Sequence, residues 1–177
     1  MSNTYVLVNP YIHGEFKTNI KAKNSAEAAK KFYKDLSEHF NNAVPKFYFT
    51  IQKGGSGKGK YYHFKVKENK VKDDVNFTIE PHELLGGDSN LISFNDKLSK
   101  IKNRLSQTGG KKKKSKKVSE SDSESSSDYF KRETKYVPVN SQPIYYWWYD
   151  PSIYRLESYY IPTFYSYVTP IIQISVV

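Results

Sequence analysis

An α+β fold is expected from three patterns in this sequence. Several runs alternate apolar and polar residues every second position, two segments repeat apolar residues at helical spacing, and Gly, Asn and Pro separate them. The runs supply about five strands of a small antiparallel sheet. The segments supply one helix packed on that sheet and a second amphipathic helix.

Thr4-Tyr-Val-Leu-Val8 is a β-rich run stopped by Asn9-Pro10, and Phe16, Thr18, Ile20 and Ala22 alternate with Lys17, Asn19 and Lys21. The connection Asn9-Pro-Tyr-Ile-His-Gly14 is suited to close a hairpin between them. Asn24 followed by Glu27 forms a capping box, after which Ala29, Phe32, Tyr33, Leu36 and Phe40 mark one helical face. Asn41-Asn42 and Pro45 end that helix. Phe47, Phe49 and Ile51, then Tyr62, Phe64 and Val66, then Val75, Phe77 and Ile79 define three antiparallel strands. Asp88-Ser89 caps a second helix over Leu91 to Leu105, with Leu91, Ile92, Phe94, Leu98, Ile101 and Leu105 on its apolar side.

Composition then divides the chain into three: a basic α+β domain at 1–107, a linker at 108–135, and an aromatic, Pro-rich tail at 136–177. Residues 109–135 hold 9 basic and 5 acidic residues. They run as Lys, then as Ser and acid, and the aromatic-free stretch 108–128 is too polar to bury a core, which makes the linker flexible. Residues 136–177 hold 1 basic and 2 acidic residues and 9 of the 16 tyrosines. The prolines at 138, 143, 151, 162 and 170 favour extended arms there. The +10 charge of the 177-residue chain therefore lies in its front two thirds. With no cysteine, disulfides and thiolate metal sites are excluded. Met1 to Val8 lacks a signal-peptide pattern, and Pro162, Pro170 and Gln173 make Ser158 to Val177 a poor spanning helix, so no membrane span is expected.

No catalytic or cofactor signature emerges. Gly54 to Lys60 imitates a phosphate-binding loop, but Tyr61 stands where a magnesium-binding hydroxyl belongs, and a strand follows instead of a helix. A glycine-rich hairpin tip remains, whose Lys58 and Lys60 suit a nucleic-acid phosphate. His82-Glu83 starts like a zinc-protease motif, yet Gly86 replaces its second histidine. His13, His39 and His63 fall into no ligand set or triad. No enzyme activity, cofactor or metal is therefore expected.

Interaction is the better expectation. Lys111, Lys112, Lys113, Lys114, Lys116 and Lys117 fit a DNA or RNA contact, a nuclear import signal or a solvated linker. Ser119, Ser121 and Ser125 each precede an acid by three residues, which suits phosphorylation by acidophilic kinases. Tyr48 and Tyr61 have the strand parity of exposed rings on which bases stack. In the tail, Tyr145, Tyr146, Trp147, Trp148 and Tyr149, with Tyr159, Tyr160 and Phe164, read as a protein-docking anchor. Successive side chains of a strand face opposite ways, so that run needs two coverings. The expectation is that residues 1–105 supply one, and that a second protein or a second copy of this chain supplies the other.

Pro143-Ile-Tyr-Tyr-Trp-Trp-Tyr-Asp-Pro151, Tyr159-Tyr-Ile-Pro-Thr-Phe164, Val8-Asn-Pro-Tyr-Ile-His-Gly14 and Asn24 to Lys53 together resemble small proteins of giant nucleocytoplasmic DNA viruses of the mimivirus kind. The resemblance brings no catalytic residues. It implies a viral product made in host cytoplasm and packaged in the particle. The resulting expectation is a non-enzymatic, virion-associated interaction or structural protein, with nucleic-acid binding as the alternative.

Overall fold

The computed structural model describes residues 2–54, 59–71, 74–84, 88–107, 130–133, 144–164 and 170–176. Strands β1 (Asn3–Asn9), β3 (Asn19–Ala22), β4 (Lys46–Lys53), β5 (Tyr61–Val71), β6 (Asp74–His82) and β7 (Phe130–Glu133) form one antiparallel sheet in the order β3-β1-β4-β5-β6-β7. Helices α1 (Ser25–Ser37) and α2 (Asp88–Gln107) complete the expected α+β set. Strands β2 (Tyr11–Gly14), β8 (Ile144–Tyr149) and β9 (Ile171–Ile174) make a second sheet in the order β2-β8-β9.

Helix α1 begins as its capping signal requires. The Asn24 side chain accepts from the Glu27 backbone N–H at 2.8 Å, and the Glu27 carboxylate accepts from Lys23 N–H at 2.9 Å. That bond, ahead of the Lys31 ammonium, holds the Glu27 carboxyl below its ordinary pKa. The buried stripe Ala28, Ala29, Phe32, Tyr33 and Leu36 lies on the first sheet. Tyr33 is its centre, with ring contacts to Phe47, Phe49 and Phe77 at 5.0 to 6.0 Å.

The other face of β4 departs from the alternation. Tyr48, Thr50 and Gln52, expected to face outward, are buried as well. The tail covers them: Tyr154, in the short 3-10 turn Pro151–Tyr154, packs on Tyr48 at 5.4 Å and bonds Thr50, while α2 lies beside that turn. A sheet covered on both faces must bury polar positions: Thr50 bonds Tyr154 and His63 and Gln52 donates to the Gly59 carbonyl at 3.1 Å, while His82 Nε2 has no partner among the described residues.

The tail is therefore part of the core, which corrects the division at 135/136. Strand β8 pairs antiparallel with β2, Tyr11 opposite Trp148 and Ile12 opposite Trp147, and pairs in parallel with β9. Strand β2, expected as part of a hairpin turn, follows β1 directly after Pro10 and pairs along β8. Segment 108–143 thus joins two parts of one hydrophobic core.

Candidate functional site

The aromatic tail residues divide by position. Tyr146, Trp147, Trp148, Tyr149 and Phe164 are buried, Tyr159 is half-buried, and Tyr145 and Tyr160 are exposed. Trp147 meets Phe40, Phe47 and Phe164 at 5.1 to 6.4 Å on one side of β8. Trp148 stacks on Phe94 of α2 at 5.4 Å on the other, and its indole N–H donates to Ser175 Oγ. Both coverings come from this chain, so the docking role expected of Tyr146, Trp147, Trp148 and Tyr149 is corrected: α2 occupies the place given to a second protein. Phe164 is likewise held inside, bridged to Phe40 and accepting at its carbonyl from the Asn41 side chain at 3.1 Å.

The stacking platform is corrected too. Tyr48 is 4% exposed, and Tyr61 is half-buried with its hydroxyl donating to Asn95 Oδ1 at 2.6 Å. Lys60 lies over the Tyr62 ring at 5.6 Å. Lys58, Lys111, Lys112, Lys113, Lys114, Lys116, Lys117, Ser119, Ser121 and Ser125 lie outside the described residues. Two cations of helix α2 face the tail, Lys97 paired with buried Asp150 at 3.1 Å and Arg104 donating to the Tyr146 hydroxyl and Gln173 Oε1 at 2.9 Å each, while Lys102 lies 5.8 Å from the Tyr11 ring centre of β2.

Behind Tyr154 sits a polar chain that the sequence did not announce. Asn9 Nδ2 donates to the Asp150 carbonyl and to the Tyr154 hydroxyl, and Asp150 N–H donates back to Asn9 Oδ1. The Tyr154 hydroxyl lies 2.7 Å from Thr50 Oγ1, which lies 2.8 Å from His63 Nδ1. Every proton in this buried row finds an acceptor if Tyr154 donates to Thr50 and Thr50 donates to His63, leaving His63 neutral with its proton on Nε2. Burial, aided by His82, lowers the His63 pKa to about 4, and burial raises that of Tyr154. Burial followed by Lys65 and Lys46 lowers His82, the cross-strand partner of His63.

The two histidines border a cleft of about 430 Å³ that also touches Lys60, Tyr61, Leu84 and Leu91. Thr50, which bonds His63 from the interior, is fully buried, and its hydroxyl is committed to Tyr154 and His63. Among the described residues no three His, Asp or Glu side chains are grouped to hold a metal, and no helix is long and apolar enough to cross a membrane.

Among the described residues, exposed apolar residues occur at Ile92 on α2, at Tyr160 and Ile161, and as a group on and beside β9. Ile171 is 71% exposed, Val176 68%, Tyr145 56% and Ile172 39%. Strand β9 is the outer strand of its sheet, and among the described residues no strand pairs with its free side. The signal was present in the sequence as Ile171-Ile-Gln-Ile-Ser-Val-Val177, a β-prone run without charge. It lacked the neighbour that shows which side is open.

Fold and surface thus define a small α+β protein with a closed aromatic interior and, among the described residues, a β9 edge that no strand pairs. Its class is viral: over 123 residues the chain is 33% identical to an uncharacterized protein of Acanthamoeba polyphaga mimivirus, covering 69% of this chain and 66% of that protein. This chain belongs with the small proteins of the mimivirus-like giant DNA viruses. The match spans just under two thirds of that relative's length. No family model matches, and no solved structure matches.

Proposed function

We propose that this chain is a non-enzymatic viral interaction protein, associated with the virion and made in host cytoplasm, that docks through the β9 edge. One observation carries the reading: among the described residues β9 presents a strand edge that no strand pairs and that has no charged residue of its own, flanked by exposed Ile171, Ile172, Val176 and Tyr145. Such edges bind by adding a strand, where backbone hydrogen bonds supply affinity and alternate side chains supply selectivity. The aromatic tail serves this role indirectly, because β8 holds β9 in place. A photoreactive benzoylphenylalanine in place of Ile171, introduced into the viral protein in infected cells, should crosslink to a protein retained in purified particles. Particles lacking the chain, together with no crosslinked adduct, refute the reading.

A second reading, contact with DNA or RNA, rests on strand register. Lys46 stands opposite Lys67, and Lys65 lies two residues from Lys67 on the same face of β4 and β5. Lys67 is paired with Glu80 at 3.1 Å, which weakens its share of that patch. Retention on DNA or RNA that falls steeply with salt, and disappears when the lysines among residues 111–117 are neutralised, supports it. Salt-independent or absent retention removes it.

A further inference from the structure

We propose that the occupant of the β9 edge is a second copy of this chain, added antiparallel about a two-fold axis at Gln173. This inference rests on the docking role of that edge. Three observations on the molecule lead to it.

The first is that the other sheet edges are defended. Among the described residues the two sheets end in β3, β7, β2 and β9. Strand β3 carries Lys21, the β7 segment reads Phe-Lys-Arg-Glu in sequence, and β2 has the Lys102 ammonium 5.8 Å from its Tyr11 ring, the register shift beside it being an extra residue, Tyr145, in β8. Charges and bulges are how proteins prevent edge-to-edge pairing, and β9 has neither.

The second is electrostatic. A chain of charge +10 repels its own copy wherever lysine-rich surfaces approach, so self-association is favoured where charge is missing. Ser158 to Val177 contains no charged residue and β9 lies within it; the one charge set against it, the Arg104 guanidinium of α2, is engaged by the Tyr146 hydroxyl and Gln173 Oε1 at 2.9 Å each.

The third is register. Ser175 N–H donates to the Tyr149 carbonyl at 3.0 Å, so odd-numbered residues of this segment turn their backbone groups to β8. Backbone groups alternate along a strand, which sends those of Ile172 and Ile174 to the open side. An antiparallel copy centred on Gln173 sets Ile172 against Ile174 of the second copy, and the reverse, which are the hydrogen-bonded pairs this polarity requires. Roughly four backbone hydrogen bonds form across the axis. Ile172 and Ile174 of both copies then cluster on one face, and each surface patch meets its own copy, as a closed two-fold dimer demands. The sheets β2-β8-β9 of the two copies become one continuous sheet.

Sedimentation velocity on the full chain, up to about 100 μM, should give a dimer. Ile172→Lys and Ile174→Glu should each weaken it by about 100-fold, because an unpaired charge is buried at the seam. An equimolar mixture of the two variants should restore dimerisation, since this register places the new ammonium opposite the new carboxylate. Circular dichroism melts establish that each variant is folded. If Ile174→Glu is unfolded, Ile171→Lys, at the 71% exposed position, takes its place as a second weakening variant. A wild-type monomer at that concentration overturns the inference, and so does a dimer that Ile172→Lys and Ile171→Lys leave intact. If the wild type is a monomer yet the probe at position 171 captures a different viral protein, the second copy is refuted while the docking role stands. If it is a monomer and captures nothing, both fall.

Discussion

Replacing Trp148 with Ala asks whether the segment after residue 143 belongs to the core. Trp148 is fully buried, its ring is stacked on Phe94 at 5.4 Å with an interplanar angle of 17°, and its N–H donates to Ser175 Oγ at 2.9 Å. Removing a buried indole costs about 3–5 kcal/mol through lost apolar transfer and the cavity left behind. About 0.5–1.5 kcal/mol of that reflects the ring pair itself. Whole domains are stable by only about 5–15 kcal/mol, and for a chain of this size each kcal/mol moves Tm by about 2–4 °C. Trp148→Ala should therefore lower Tm by roughly 6–20 °C in a calorimetric or circular dichroism melt. Trp147→Ser combined with Trp148→Ser should leave no folded protein. A fragment of residues 1–107 should show no cooperative transition, because it lacks the partner of β2 and the cover over Tyr48. The reasoning fails if that fragment melts cooperatively near the full-length Tm, or if Trp148→Ala shifts Tm by less than about 2 °C.

Acid should destabilise the fold. Burial lowers the pKa of both His39 and His63 from 6.5 to about 4, so the unfolded chain takes up protons that the folded chain refuses. Their stabilisation is complete above pH 6.5 and is lost as pH falls toward 4; discounted for partial solvent screening, each contributes about 2 kcal/mol. Asp35 and Glu38, raised by burial, act in the opposite sense at the acid end. Melts between pH 7.5 and 4 should show the fall, and His39→Gln should remove about half of it; a flat profile refutes the assignment. Gly59→Ala should destabilise the 53–60 turn, since a Cβ there would lie 1.4 Å from the Lys53 carbonyl oxygen; faster hydrogen exchange at Lys53 N–H is the readout. Tyr154→Phe removes the donor to Thr50 and one acceptor of Asn9, and should cost about 1–3 kcal/mol in denaturant melts.

Local signals carried most of the sequence's legible content. The Asn24–Glu27 cap and the stripe through Phe32, Tyr33 and Leu36 specify α1, and period-two runs specify β4, β5 and β6. Those signals depend only on neighbours in the chain. What stayed hidden depends on partners far along it. Tyr48, Thr50 and Gln52 look like an outward row, yet Tyr154, 104 residues beyond Thr50, makes Thr50 a paired interior group. Polarity marks a residue as exposed only while no hydrogen-bond partner is available inside. Strand β2 escaped notice for the same reason: Tyr11-Ile-His-Gly14 pairs with a strand that begins at residue 144.

The composition break after residue 107 misled in a more instructive way. A shift from lysine-rich to aromatic sequence reads as a boundary between bodies, but a single body also needs an inside and an outside. Here the charged front two thirds supply most of the outer surface together with the sheet, while the nearly uncharged tail supplies Trp147, Trp148, Tyr149 and Tyr154 to its interior. A sheet with apolar residues on both faces needs cover on both, and α1 is one helix on one face. The uncovered face at Tyr48 was the missing half of the argument, and the tail's aromatic surplus was its answer. With the indoles interior, the proposed recognition rests on backbone and not on large side chains. Among the described residues, what no strand pairs at the end of the tail is the outer side of β9, toward which the backbone groups of Ile172 and Ile174 point, and that is where the proposed partner adds a strand.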